Sequence, residues 1–195
     1  EAIASTLVVV VADHGEAFGE HGEIAHSIFV YDTTLRIPMI FAGPGVPARV
    51  VDAAVSQVDI APTVMALLGV DPFDADGIDL VPAIRGDTTP QRTLYAESFA
   101  PLLDFGWSPL RAVRKDGWKY ISAPQPELYR VSDDVGESQN VIEGHKPRAA
   151  EMHADVVRFS GDTLPVDHGV EPSALARLQS LGYVSGSRTG TKRPD

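Results

Sequence analysis

Two short apolar runs organise the first part of the chain. Leu7 to Val11 is a continuous block rich in valine, and Ile37 to Ala42 is a second block that ends at a Gly-Pro-Gly turn. Continuous apolar runs of this length are typical of strands buried on both faces, and such strands occur mainly in parallel sheets. We therefore predict that both runs are strands of a mostly parallel sheet.

Helical patterns follow these strands. Ser56 and Asp59 are both candidate caps for a helix that has Pro62 in its first turn and ends at Gly69. Leu80 to Ile84 is predicted to form a single helical turn. The earlier segment, residues 28–35, is compatible with either a short helix or an irregular loop.

From residue 91 the pattern changes to short strands separated by turn residues. The Asp116-Gly117 pair between two apolar runs predicts a β-hairpin. The predicted strands are 93–98, 110–115, 118–122 and 127–131, and the predicted helices are 146–159 and 173–181. This part is expected to be a small antiparallel sheet with helices.

The fold class is therefore α/β, with an incomplete, mostly parallel sheet and an antiparallel-sheet subdomain. We place the first unit at residues 1–90, the second at 91–184 and a disordered tail at 185–195. Two buried strands need neighbours, because a sheet of two strands is marginal in water. The chain is thus expected to be a C-terminal fragment whose missing strands precede Glu1 or lie in another chain.

Composition narrows the possible partners. The 195 residues carry a net charge of −11, which argues against binding to nucleic acid or to an anionic membrane surface. Cysteine is absent, so the sequence contains no disulfide framework, and no apolar run reaches the length of a membrane span.

Polar groups follow the first strand directly. Asp13 and His14 stand where ligands bind in open α/β sheets, beyond the carboxyl end of a strand, and offer an oxygen and a nitrogen to a divalent cation. Further ligands are needed; the nearest imidazoles and carboxylates are His21, His26, Glu16, Glu20 and Glu23. Alternatively, Asp-His-Gly is a turn that only ends the strand.

Several short motifs follow one another in a fixed order. They are ADHGEAFGEHGE at 12–23, His26, LRIPMIFAGPG at 35–45, VDIAPT at 58–63, LRAVR at 110–114, WKYI at 118–121, ELY at 127–129 with Glu137 and Asn140 beyond it, and LGYV at 181–184. Together they resemble the C-terminal half of sulfatases in the alkaline phosphatase superfamily.

The resemblance implies roles for three residues. Asp13 and His14 match the pair that completes the divalent-metal site, expected to hold Ca²⁺ first, with Mn²⁺, Mg²⁺ or Zn²⁺ as alternatives. His26 falls where sulfatases usually carry a lysine that contacts the sulfate or the leaving-group oxygen, and it is assigned to substrate binding and catalysis. The alternative is a loop histidine bonded to Asp32 or to backbone. Arg36 is expected to form a structural ion pair with Asp32 or Asp59.

The family nucleophile, a formylglycine in a Cys/Ser-x-Pro-x-Arg motif, has no counterpart in this sequence. The chain alone is therefore expected to be inactive, and its missing N-terminal half to supply the nucleophile. The expected activity of the whole protein is metal-dependent hydrolysis of sulfate esters, which are anionic substrates. The alternatives are a phosphodiesterase, phosphonate monoester hydrolase or phosphoglycerol transferase of the same superfamily, or a non-catalytic binding domain. An extracytoplasmic location is common in this family.

Overall fold

The computed structural model of this chain describes residues 5–88 and 91–161. The predicted helix at 173–181 and the predicted tail at 185–195 lie outside these ranges. The division at residue 90 stays a prediction. None of the helices in the described ranges has the length and hydrophobicity needed to cross a membrane.

The described ranges contain eight strands and five α-helices. In chain order they are β1 (Val8–Val11), β2 (Ala17–Phe18), β3 (Ile24–Ala25), α1 (Asp32–Leu35), β4 (Met39–Ala42), α2 (Ile60–Leu68), α3 (Val81–Arg85), β5 (Leu94–Ser98), α4 (Ala100–Phe105), β6 (Leu110–Lys115), β7 (Trp118–Ser122), β8 (Glu127–Tyr129) and α5 (Lys146–Ser160). Short 3-10 helices lie at Glu20–Gly22, Gln57–Asp59 and Ile142–Gly144.

The two apolar runs pair with each other as β1 and β4. The pairing is antiparallel, with Val8 opposite Ala42 and Val11 opposite Met39. The prediction of parallel strands is therefore wrong for this pair. Parallel strands are usually joined by a crossover helix, whereas the connection here contains the β2–β3 hairpin, a 3-10 turn and the four-residue α1.

The side chains of this strand pair remain open to solvent. Val10 is 52% exposed and Ile40 is 54% exposed. Burial on both faces was expected, but within the described ranges β1 and β4 have only each other as strand neighbours. The apolar side chains of β1 and β4 are therefore only partly buried by the residues that the structure describes.

The helix predicted after residue 56 forms as a 3-10 turn followed by α2. Ser56 and Asp59 act together as a capping box, in which the Ser56 backbone N–H donates to Asp59 Oδ2 over 2.8 Å. Asp59 is fully buried and also forms an ion pair with Arg92. Gly69 ends the helix in the left-handed conformation that glycine tolerates best, as predicted.

The second half of the described chain forms the predicted antiparallel sheet. Its strand order is β5-β6-β7-β8. The turn between β6 and β7 has positive φ at Asp116 and Gly117, which is the conformation of a type I′ hairpin. Helix α5 covers one face of the sheet, and Met152 on this helix is completely buried with Leu128 of β8.

A buried lysine connects this sheet to α1. Lys119 on β7 is only 1% exposed, and its Nζ lies 2.8 Å from Asp32 Oδ1 and 2.7 Å from Glu137 Oε1. Arg114 on β6 forms a further ion pair with Asp32. The Glu137 contact is an ion pair rather than a well-aligned hydrogen bond, while Glu137 Oε2 accepts a bond from the Asp32 backbone N–H.

The two carboxylates respond differently to this environment. Burial raises the pKa of Asp32, but the Lys119 ammonium and the Arg114 guanidinium outweigh burial and hold the pKa below its ordinary value. For Glu137, burial is the larger effect and raises the pKa although Lys119 opposes it. Lys119 is therefore the cation that the two carboxylates share, and Asp32 has Arg114 as a second cationic partner.

Replacing Lys119 should be far more damaging than replacing a lysine at the surface. Lys119→Met leaves two buried carboxylates without their shared ammonium, and we expect the free energy of unfolding to fall by about 3–5 kcal/mol. The control is Lys115→Met on the neighbouring strand, where the side chain is 28% exposed and pairs with Glu151 and Asp155; its loss should be much smaller, because ion pairs open to solvent contribute little to stability. Urea unfolding of both variants measures the difference, and equal losses would contradict this role.

Candidate active site

The end of β1 presents Asp13 and His14, and a side chain from a distant segment fixes the backbone there. Gln57 Nε2 donates hydrogen bonds to the carbonyl oxygens of Ala12 (2.9 Å) and Asp13 (2.8 Å). The sequence pattern did not predict this role for Gln57. The one available signal was that Gln57 directly follows the predicted cap residue Ser56 and so lies at the start of a helical segment. The strand end is thus held by the start of the 3-10 turn that precedes α2.

The next residue, Gly15, lies against α1. Its N–H donates to the Thr34 carbonyl oxygen over 2.8 Å, and a Cβ placed on Gly15 would lie 2.2 Å from the Thr33 carbonyl oxygen. Only a residue without a side chain fits this approach. Gly15 therefore allows the strand end to approach α1 closely. Helix α1 is in turn held on the antiparallel sheet by the ion pair between its residue Asp32 and Lys119.

His26 reaches the same place from the β2–β3 hairpin. It stands between Ala25 (φ 145°) and Ser27 (φ 100°), two non-glycine residues in a backbone region that L-residues rarely adopt. Strained backbone of this kind persists where surrounding structure holds it, often at functional sites. Here the result is that the His26 ring stacks on the His14 ring, with ring centroids 3.9 Å apart.

Four side chains meet at this point. His26 Nδ1 lies 3.3 Å from Glu16 Oε2, and His14 Nε2 lies 3.7 Å from Asp13 Oδ1. Donor atoms of His14, Glu16 and His26 all fall within 4.8 Å of one another. The structure therefore brings together the three residues predicted as site residues and selects Glu16 from the nearby carboxylates.

The remaining candidates of this loop are engaged elsewhere. His21 stacks on Tyr31 at 3.6 Å and its Nε2 lies 3.2 Å from the Gly136 carbonyl oxygen. Glu20 accepts a hydrogen bond from the Phe18 N–H, which lowers the pKa of Glu20. Glu23 is buried and accepts the Ile28 N–H over 2.9 Å. These three side chains shape the hairpin.

Tyr31 anchors this loop to the antiparallel sheet. The hydroxyls of Tyr31 and Tyr129 both donate to Glu127 Oε2, over 2.8 and 2.9 Å. Burial raises the pKa of both tyrosines, and the Glu127 carboxylate raises it further. Both hydroxyls therefore remain protonated donors at neutral pH.

The expected ion pair of Arg36 is wrong. Asp32 pairs with Arg114 and Lys119, and Asp59 pairs with Arg92, because these cations approach from the sheet side and from the segment before β5. Arg36 instead lines a cleft of about 670 Å³ together with Asp13 and His14. It adds a positive charge to the lining of that cleft.

Comparison with known proteins identifies the family. The Sulfatase family model matches residues 4–70. A Δ4,5-hexuronate-2-O-sulfatase of Bacteroides thetaiotaomicron is 32% identical over 151 residues, covering 73% of this chain and 31% of the relative. The chain belongs to the sulfatase family. A choline-sulfatase of Rhizobium meliloti is 30% identical, covering 79% of this chain and 30% of that relative.

Solved structures confirm the predicted fold class. A phosphonate monoester hydrolase of Silicibacter pomeroyi aligns with a TM-score of 0.61 at 25% identity, covering 79% of this chain and 34% of that structure. The mixed α/β arrangement with a small antiparallel sheet is thus the alkaline-phosphatase-like fold of these proteins. The chain spans about a third of the length of the relatives it matches.

Gly15→Ala is expected to disturb the site through backbone contact alone. The added Cβ would collide with the Thr33 carbonyl oxygen, and relief of this clash should cost about 1–3 kcal/mol of unfolding free energy. Gly144→Ala is the control, because a Cβ at Gly144 meets nothing within 4 Å. Thermal unfolding of both variants checks this, and a Gly15→Ala variant as stable as Gly144→Ala would refute the close approach.

Proposed function

We propose that the protein carrying this chain hydrolyses sulfate esters with the help of a divalent metal ion. Membership of the sulfatase family supports this reaction class. The observation that carries the proposal is the meeting of Asp13, His14 and His26, because 11 residues separate His14 from His26 in the sequence while their rings stack at 3.9 Å.

Asp13 and His14 would supply two of the metal ligands. Two atoms bound to one ion at about 2.0–2.5 Å are roughly 3–4 Å apart, and the 3.7 Å between Asp13 Oδ1 and His14 Nε2 fits this range. The Asp13 side chain is 77% exposed, so its carboxylate is accessible to an ion. When bound, the metal would act as a Lewis acid on a sulfate oxygen and orient the nucleophile.

His26 would contact the ester. Glu16 lies beside Nδ1 of His26, which leaves Nε2 as the ring nitrogen not engaged by this carboxylate. In the protonated ring both nitrogens carry hydrogens, so Nδ1 donates to Glu16 while Nε2 donates to the sulfate or to the departing alcohol oxygen. Histidine would thereby replace the lysine usual at this position in sulfatases.

The remaining parts of the reaction would come from a preceding N-terminal segment. That segment would provide the nucleophile, the other metal ligands and strands that cover β1 and β4. The open faces of these two strands and the coverage of only a third of each relative support this proposal. We further propose an extracytoplasmic location, as is common among sulfatases.

The 195-residue chain by itself should not hydrolyse sulfate esters, because it contains no Cys/Ser-x-Pro-x-Arg nucleophile motif. The assay is release of p-nitrophenol from p-nitrophenyl sulfate with Ca²⁺ or Mn²⁺ present. Co-expression with the segment that precedes Glu1 in its gene should restore turnover. Metal-dependent turnover by the chain alone would refute the proposal that the preceding segment supplies the nucleophile.

Asp13→Asn should remove the stabilisation that Ca²⁺ or Mn²⁺ gives to the protein assembled with its preceding segment. A ligand that binds only the folded state raises the unfolding free energy by about 2.7 kcal/mol at one hundred times its dissociation constant. Thermal unfolding with and without metal measures this. Asp52→Asn serves as the control, because Asp52 also lines the cleft but lies outside the Asp13–His14 pair. An unchanged metal response in Asp13→Asn would exclude Asp13 as a ligand, whereas absence of metal-linked stabilisation in the parent protein would favour an inert binding domain.

Hydrolysis of phosphonate monoesters is the second candidate function. The structural likeness to the phosphonate monoester hydrolase of Silicibacter pomeroyi favours it. Phosphodiester hydrolysis and phosphoglycerol transfer are related possibilities. Parallel kcat/KM measurements on p-nitrophenyl sulfate and on p-nitrophenyl phenylphosphonate, with the assembled protein, separate these candidates. A higher value for the phosphonate would overturn the sulfatase assignment.

A further inference from the structure

We propose that His14, Glu16 and His26 form a binding site for a divalent transition-metal ion such as Zn²⁺ or Co²⁺. This ligand set differs from the Asp13–His14 pair, because it uses Glu16 and His26 and does not use Asp13. The proposal rests on four features of the three side chains: their spacing, the orientation of their nitrogens, their exposure and their ligand chemistry.

The spacing of the donor atoms suits a single ion. One donor atom from each of the three side chains lies within 4.8 Å of the other two. Ligands of a tetrahedral zinc ion are about 3.3 Å apart when each bond is about 2.0–2.1 Å. Closing this difference requires rotation of the Glu16 and His26 side chains only, if the backbone that brings both residues to His14 stays in place.

The orientation of His14 leaves the correct nitrogen available. His14 Nδ1 lies 2.8 Å from the Gly15 carbonyl oxygen, so the Nδ1–H tautomer donates to that oxygen and Nε2 keeps its lone pair. Metal-ligating histidines usually have their second ring nitrogen held by a carbonyl or a carboxylate in this way. His14 is therefore arranged as a ligand through Nε2.

The three side chains are open to an entering ion. Their exposed fractions are 36% for His14, 43% for Glu16 and 32% for His26. The two imidazole planes are inclined by 25°. The rings must tilt further apart for their lone pairs to converge, so binding of an ion should break the ring stacking.

The donor set selects the class of metal. Two imidazole nitrogens and one carboxylate oxygen suit Zn²⁺, Co²⁺ or Ni²⁺, whereas Ca²⁺ and Mg²⁺ prefer oxygen ligands only. Three protein ligands leave the fourth tetrahedral position to water or another small ligand. The Asp13–His14 pair supplies one nitrogen and one oxygen, so the two sites differ in the metals they favour.

Occupation of this site would compete with the ester reaction. His14 has one Nε2 atom for either site, and His26 bound to an ion no longer has both nitrogens available for Glu16 and an ester oxygen. Zn²⁺ is thus expected to act as an inhibitor; this consequence, unlike the site itself, rests on the proposed function.

Titration of Co²⁺ into the chain, produced without a histidine tag, tests the site directly. We expect one Co²⁺ per chain with the intense visible absorption of tetrahedral coordination, displaced by Zn²⁺. Glu16→Gln and His26→Asn should each weaken binding by about tenfold or more. The matched controls Glu20→Gln and His21→Asn should bind as the parent does, because both residues lie in the same loop but outside the group. Asparagine also tolerates the positive φ of His21.

Asp13→Asn separates this proposal from the proposed function. Co²⁺ binding that survives Asp13→Asn and is lost in Glu16→Gln supports the site, whatever happens to stabilisation by Ca²⁺ or Mn²⁺. Binding that is lost in Asp13→Asn and kept in Glu16→Gln overturns it and leaves the Asp13–His14 metal pair intact. Absence of Co²⁺ binding to a folded chain, as judged by circular dichroism, also overturns it.

Discussion

The burial of one ammonium group between two carboxylates is the interaction on which the rest of the structure depends. Lys119 projects from the middle of the antiparallel sheet, and Asp32 is the first residue of α1. Glu137 completes the contact from the loop after β8 and also accepts the N–H of Asp32. Buried charges require partners of opposite sign. This requirement fixes α1 on the sheet, and through Gly15 it fixes the end of β1 relative to both.

The candidate site is assembled from two short segments that need this support. The strand end brings His14 and Glu16, and the hairpin brings His26 through backbone angles that are unfavourable for Ala25 and Ser27. A strained loop keeps its geometry only when its surroundings hold it. Gln57 restrains the strand end through the Ala12 and Asp13 carbonyl oxygens, and Tyr31 restrains the hairpin through its stacking on His21.

The described chain is packed unevenly. The four-stranded sheet and α5 share a closed core, in which Leu128 and Met152 are completely buried. The β1–β4 pair carries apolar side chains that remain half exposed, and it stands next to the candidate site. The proposed preceding segment would cover this apolar surface, which lies beside the proposed metal ligands Asp13 and His14. The same interface would then bury the two strands and bring the proposed nucleophile to the candidate site.

Local sequence determined most of the elements. Cap residues, turn residues and apolar runs placed α2, the β6–β7 hairpin, α3 and α5 close to their observed bounds, because these signals act over a few neighbouring residues. Motif order also indicated the family, and the predicted residues Asp13, His14 and His26 do lie together. The elements depend on preferences of neighbouring residues, whereas the family resemblance and the site residues depend on several motifs taken together.

Only the tertiary structure decided strand direction, charge partners and the members of the site. The continuous apolar pattern of β1 and β4 predicts two apolar strands, but it does not determine whether they run parallel or antiparallel. The parallel direction expected from the pattern was therefore wrong for this pair. Asp32 has Lys119 as a partner 87 residues away, and no local pattern specifies a contact at that distance. Glu16 was one of three nearby carboxylates until the hairpin placed His26 beside it. Long-range packing selects among chemically equivalent groups, and that selection is what the sequence alone leaves open.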